Sequence, residues 1–258
     1  TLATSSAASD VYKRQNIAFG TNILDIEIPE HLTRKFKSGL SFVDGAMGGE
    51  GFTPSAVTLF TGTPGAGKTT LMLTLADAMT KQGASVLFNT AEESLYQTAM
   101  TAKRLRLRNG FQAGNSADVK EIIANATKMA AKAKAAGEQF VLIVDSLQCL
   151  DDGAYSSGKI TSGTAIRCLQ HITDFCKETG SIGIIINQVN KAGKMAGSNK
   201  LKHMVDSMMH LSVEEKDEDF KGCRILETKK NRFGGCGHMF YLALRKTGFR
   251  EVAKIEEF

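Results

Sequence analysis

Residues 62–69 read GTPGAGKT, and this run matches GxxxxGK(S/T) at every fixed position. Glycines at 62, 65 and 67 let the main chain wrap closely, so successive N–H groups and the positive end of a following helix can face a phosphate. Lys68 is placed to reach the outer phosphates of a nucleotide, and the Thr69 hydroxyl is a ligand for Mg²⁺. Gly62, Thr63, Pro64, Gly65, Ala66, Gly67, Lys68, Thr69 and Thr70 are therefore the candidate ATP-binding residues. Asp145 closes the apolar run FVLIVD, and a carboxylate at the carboxyl end of a parallel strand can hold the outer waters of the magnesium. Its other use is as a helix N-cap.

Hydrolysis needs a carboxylate to orient or deprotonate the attacking water, and NTAEES supplies Glu92 and Glu93. Glu92 lies nearer the strand end and is preferred; Glu93 fits a first-turn helix charge. Asn187 and Gln188 end another strand, where an amide could sense a γ-phosphate; hydrogen bonding at the sheet edge also accounts for Asn187. Two glycine-bearing stretches carry cations suited to a polyanion. One is DDGAYSSGKITSG with Lys159, and the other is NKAGKMAGSNKLKH with Lys191, Lys194, Lys200 and Lys202. An ordinary solvated basic loop is the alternative for the second.

These residues need a frame that brings strand ends together. AVTLF (56–60) reads as a strand and residues 69–81 as a helix with apolar spacing at Leu71, Leu75, Ala78 and Met79. SVLFNT is a second strand, followed by helices over about 95–107 and 119–136. FVLIVD is apolar throughout, as a doubly covered strand must be. A helix over about 164–179 and the buried strand SIGIIINQ follow. Alternating strand and helix predicts an α/β fold with a mostly parallel central sheet and helices on both faces. Beyond Gly197, VDSMMHLSVEE, CRILETKKN and HMFYLALRKTGF read as successive strands, predicting antiparallel additions, with the acidic run 214–219 as a solvated hairpin tip.

Composition bounds the rest. At 258 residues and 42% hydrophobic content the chain can bury a sizeable core, and the net charge of +5 is too mild for binding spread over the whole surface. Five cysteines without a CxxC pair argue against a disulfide framework and fit a reducing cytoplasm. No apolar run approaches the roughly 18 residues of a membrane helix. Residues 1–15 are small, polar and aperiodic, and resemble translated adaptor sequence; they are expected to be a non-native or disordered arm, with the ATPase domain over 16–258.

The order of these pieces resembles the RecA-like P-loop ATPases, and TPGAGKTT, EES, VDSLQ, HMVD and KNRFG together resemble the RadA (Sms) family. The resemblance covers about residues 38–252, the ATPase core alone, because the family usually adds a four-cysteine zinc finger and a Lon-like domain. The NQ pair at 187–188 departs from the usual RadA text and is more RecA-like. The resemblance implies an ATP- and Mg²⁺-dependent DNA repair and recombination motor that binds single-stranded or branched DNA, migrates branches and forms a hexameric ring in the cytoplasm. It implies Glu92 as catalytic glutamate, Gln188 as sensor, and Lys230 and Arg232 of KNRFG as the pair coupling ATP to DNA work. Lys68 already serves a protomer's own phosphates, so the second pair is expected at the neighbour's γ-phosphate. A nucleotide-gated assembly ATPase and a strand-exchange recombinase are the alternatives that share this nucleotide site.

Overall fold

The computed structural model describes residues 17–28, 33–155, 160–188 and 198–255, with the side chains of 198 and 199 excepted. Nine strands form one sheet in the order β3-β2-β4-β5-β1-β6-β7-β8-β9. Their ranges are β1 Val57–Gly62, β2 Ser85–Thr90, β3 Gln112–Gly114, β4 Phe140–Asp145, β5 Ile182–Gln188, β6 Ser207–Val213, β7 Arg224–Asn231, β8 Met239–Arg245 and β9 Gly248–Ile255. The helices are α1 Ser41–Ala46, α2 Lys68–Lys81, α3 Leu95–Leu105, α4 Val119–Ala135, α5 Ser162–Thr179 and α6 Ser198–Met204.

Strands β3 to β6 in that spatial order run parallel, and β7, β8 and β9 continue the sheet antiparallel. β4 is buried at every position because its alternate side chains feed two cores. Val141 and Ile143 join one core with α1 and Leu71, Leu75 and Met79 of α2. Leu142 and Val144 join the other with α4 and α5, through Ile122, Ala126, Leu169 and Ile172. Each fully buried leucine in these layers contributes about 2 kcal/mol. The mixed sheet with helices on both faces is the fold the sequence predicted.

Local chemistry sets the helix ends. Ser94 and Gln97 form a capping box at the start of α3, and Asp118 accepts from the first turn of α4. α3 stops two residues earlier than its apolar pattern implies, because Arg106 takes a left-handed conformation and closes the end.

The C-terminal part differs in detail from the sequence reading. β6 is parallel to β1, not an antiparallel addition, and Asp206 joins the starts of the two strands. Its main-chain N–H donates to the Val57 carbonyl and its Oδ2 accepts from Val57 N–H, each at 3.0 Å. The segment read as one strand, HMFYLALRKTGF, is a hairpin that turns at Lys246 and Thr247 into β9. Three elements had no sequence signal that periodicity could read: α1, β3 and α6, of six, three and seven residues.

Candidate nucleotide site

The carboxyl ends of β1, β2, β4 and β5 lie side by side, and each delivers one part of the site. β1 runs into the glycine loop and α2 starts at Lys68. Gly65 and Gly67 have φ of +76° and +100°, values that side chains resist, and a Cβ on Gly62 would lie 2.4 Å from the Leu211 carbonyl. Gly67 is the N-cap and has no side chain to cap the helix, so the first N–H groups of α2 point into the loop with the positive helix end behind them. That cradle fits a phosphate.

Lys68 Nζ donates to the carbonyls of Gly62 at 2.9 Å and Thr63 at 3.1 Å, which curls the side chain over the loop. Burial lowers its pKa, and the carboxylates of Asp145 and Glu92 pull it back up. Thr69 Oγ1 donates to Asp145 Oδ2 at 2.7 Å. A hydroxyl and a carboxylate in contact are the hard oxygen donors that Mg²⁺ selects, so this pair fits the metal. Burial pushes the Asp145 carboxyl up to about 6, with the Thr69 bond opposing that shift.

Glu92 follows β2 and is the centre of a hydrogen-bond cluster. Gln188 Nε2 donates to Glu92 Oε1 at 2.9 Å and to Oε2 at 3.0 Å. Gln148 Nε2 donates to Oε1 at 3.2 Å, and the Ser146 hydroxyl donates to the same oxygen. Cys149 Sγ lies 3.6 Å from Oε1. Glu93 makes no side-chain bond to this cluster among those described: its main chain exchanges hydrogen bonds with the Thr90 hydroxyl at the approach to α3, while its charge adds to the rise of the Asp145 pKa. The structure thus brings Glu92 and Gln188 together beside Lys68, Thr69 and Asp145. Asn187 is buried within β5.

Ser146, Gln148 and Cys149 were not singled out by the sequence reading. Their signal was the segment directly after the FVLIVD strand: Ser146 and Gln148 belong to the VDSLQ motif that carried the family resemblance, and Cys149 follows it. The Asp145–Ser146 peptide bond, which is cis, opens that run. On the far side of the loop, the Thr61 hydroxyl meets His210 Nδ1 at 2.8 Å, and burial lowers the His210 pKa.

Lys230 and Arg232 occupy a different place. Lys230 Nζ donates to the carbonyls of Lys202 at 2.8 Å and Val205 at 2.7 Å. Arg232 donates to the His203 carbonyl at 3.2 Å and lies 3.5 Å from Asp206 Oδ1. Both cations thus sit at the negative end of α6, a favourable place for positive charge. Lys200 and Lys202 are exposed on α6 itself, not on a loop as expected, because the buried Leu201 and Val205 anchor that turn to the core. Lys159, Lys191 and Lys194 lie outside the described residues.

A glycine loop between a parallel strand and a helix, with carboxylates at the neighbouring strand ends, defines a RecA-like P-loop ATPase. Residues 46–194 match the AAA domain family model (AAA_25), and the chain belongs to that family. It is similar to DNA repair protein RadA of Aquifex aeolicus, 30% identical over 92% of this chain and 50% of that protein. The Haemophilus influenzae RadA is 32% identical over 88% of this chain and 46% of its own length. The chain spans about half the length of the curated relatives it matches. Among solved structures, an ATPase domain superposes with a TM-score of 0.70 at 16% identity, covering 85% of this chain and 92% of that one. A DnaB-like replicative helicase superposes at 0.69 and 15% identity, covering 83% and 61%. The similarity to RadA proteins over most of this chain and the AAA domain match agree with the ATPase-core resemblance carried by its motifs. Among the described residues no helix is long and apolar enough to cross a membrane.

Proposed function

We propose that this chain is the ATP-hydrolysing core of a DNA-dependent, RadA-like motor of recombination and repair, with the ATPase unit spanning residues 16–258. The observation that carries the reading is the meeting of Glu92, Gln188, Lys68 and the Thr69–Asp145 pair at one edge of the sheet. Residues 62–70 hold ATP, and Thr69 and Asp145 hold Mg²⁺. When bound, the nucleotide supplies the transferable phosphoryl group and the metal neutralises its charge. Lys68 faces the outer phosphates. Glu92 orients the attacking water and accepts its proton, while Gln188 sits where it can sense the γ-phosphate. The similarity to RadA proteins over most of the chain supports the DNA assignment.

Single-stranded or branched DNA is the proposed partner, contacted by Lys200 and Lys202 together with Lys159, Lys191 and Lys194. The assembly is proposed as a hexameric ring in the cytoplasm, in which Lys230 and Arg232 approach the γ-phosphate of the neighbouring subunit. ATP turnover measured with and without single-stranded DNA tests the reading. Stimulation by DNA, with binding that weakens steeply as salt rises, is expected. Absence of both stimulation and low-salt binding would sink it.

A replicative-helicase-like motor is the second reading, favoured by the superposition on the DnaB-like helicase. Unwinding of a plain fork without a preference for three- or four-way junctions would favour that reading over the RadA-like one.

A further inference from the structure

Gln148 lies on the 3-10 turn Leu147–Cys149, directly after β4 and Ser146. β4 stands between β2 and β5 in the sheet, so this side chain can reach the ends of both neighbours. It does so with both ends of its carboxamide. Nε2 donates to Glu92 Oε1 at 3.2 Å, and Oε1 accepts from the Gln188 main-chain N–H at 3.2 Å. The orientation is decided by its partners: turning the amide over would set its oxygen against a carboxylate and its NH₂ against an N–H.

We propose that Gln148 is a positioning residue for hydrolysis, tying the Glu92 carboxylate to the main chain at the end of β5. The proposal rests on the reading of Glu92 as the group that orients the water. A glutamate on the exposed turn after β2 has several rotamers open to it, and a carboxylate serves as base only within hydrogen-bond reach of the water. Gln188 binds the same carboxylate, but through an exposed side chain. Gln148 instead refers Glu92 to backbone, whose place is set by the β1–β5 pairing that sets Gln188 opposite Gly62. Only a side chain that donates at one end and accepts at the other can bridge these two groups, and a carboxamide does both.

The ionisable groups facing Glu92 are Lys68 from α2, Asp145 from the end of β4 and Cys149 from the same turn as Gln148. A carboxylate at position 148 would add a second negative charge against Glu92 Oε1 and disfavour its ionised form. It would still accept from the Gln188 N–H, so fold and strand ends are preserved.

The test is the pH profile of kcat, measured without DNA, for the full chain and for Gln148→Ala, Gln148→Glu and Glu92→Gln, with the Kd of a fluorescent ATP analogue as companion. Gln148→Ala is expected to lower kcat roughly tenfold at unchanged Kd. Gln148→Glu is expected to move the acid limb of the profile up by about one pH unit, a change that a structural role does not produce. Glu92→Gln is expected to lose roughly 100-fold or more. If Glu92→Gln is inactive while both Gln148 variants keep the kcat and acid limb of the unmodified chain, the positioning role is overturned. It is equally overturned if Gln148→Ala slows turnover but Gln148→Glu leaves the limb in place. If Glu92→Gln itself retains turnover, the reading of Glu92 fails and the proposal falls with it.

Discussion

Two polar clusters of this chain are built on opposite plans. At the ends of β1, β2, β4 and β5, charged and amide side chains bind one another: Glu92 with Gln188 and Gln148, and Thr69 with Asp145. At the end of β7, two cations bind main-chain carbonyls of α6 and the residue just beyond it, with Asp206 as an acidic neighbour. In the first cluster side chains meet around two carboxylates, Glu92 and Asp145, with Lys68 and Gln148 also binding main-chain groups. In the second, the partners are mostly peptide dipoles that do not titrate. The first cluster is suited to chemistry and the second, within one chain, to holding a helix end, which leaves its cations available for a further role only if they exchange partners.

The widest separation between the clusters should appear on removing Lys68. Lys68→Ala is expected to cut ATP turnover by roughly 10²–10³-fold, while its far-ultraviolet spectrum and unfolding midpoint stay close to those of the unmodified chain. Retained turnover would remove the nucleotide cluster from the chemistry.

The next effect is on stability. Asp145 has a folded pKa of about 6 against a reference of 3.8. Between those values the folded chain holds a proton that the unfolded chain releases, so this group's contribution to stability falls as pH rises from about 4 to 6 and is flat above. The accumulated cost is up to about 3 kcal/mol. In chelator, Asp145→Asn should therefore unfold at higher denaturant than the parent at pH 8 and at the same denaturant near pH 4. A variant less stable at pH 8 would mean that the Thr69 bond outweighs burial.

The smallest effect belongs to the α6 end. Lys230→Met and Arg232→Ala should each cost about 1 kcal/mol or less, because both cations are partly solvated and their partners can turn to water. ATP affinity should be unchanged in both, whereas the DNA-stimulated part of turnover should be lost in Arg232→Ala. Weakened ATP binding by Arg232→Ala in the isolated chain would erase the contrast, since it would tie the second cluster to its own nucleotide site.

The legible parts of this fold share a cause. The P-loop is a contiguous run whose glycines, lysine and threonine must stand in fixed order, and FVLIVD is apolar throughout because both faces of β4 are covered. Glu92 and Gln188 could be chosen because strand ends are where a parallel sheet presents ligands. Gln148 could not, since its role depends on partners 56 and 40 residues away. Lys230 and Arg232 were visible as a pair, but α6, which supplies carbonyl partners to both, is a seven-residue helix without a readable period.

The sequence by itself determined the class of fold and the phosphate cradle, because local order and hydrophobic period act over short stretches of chain. The tertiary structure alone decided which side chains hold Glu92, that β6 lies parallel to β1 with Asp206 joining their starts, and that the cations at the end of β7 meet the end of α6. Those are meetings of distant segments, and their geometry follows from strand order and packing, which no local pattern encodes.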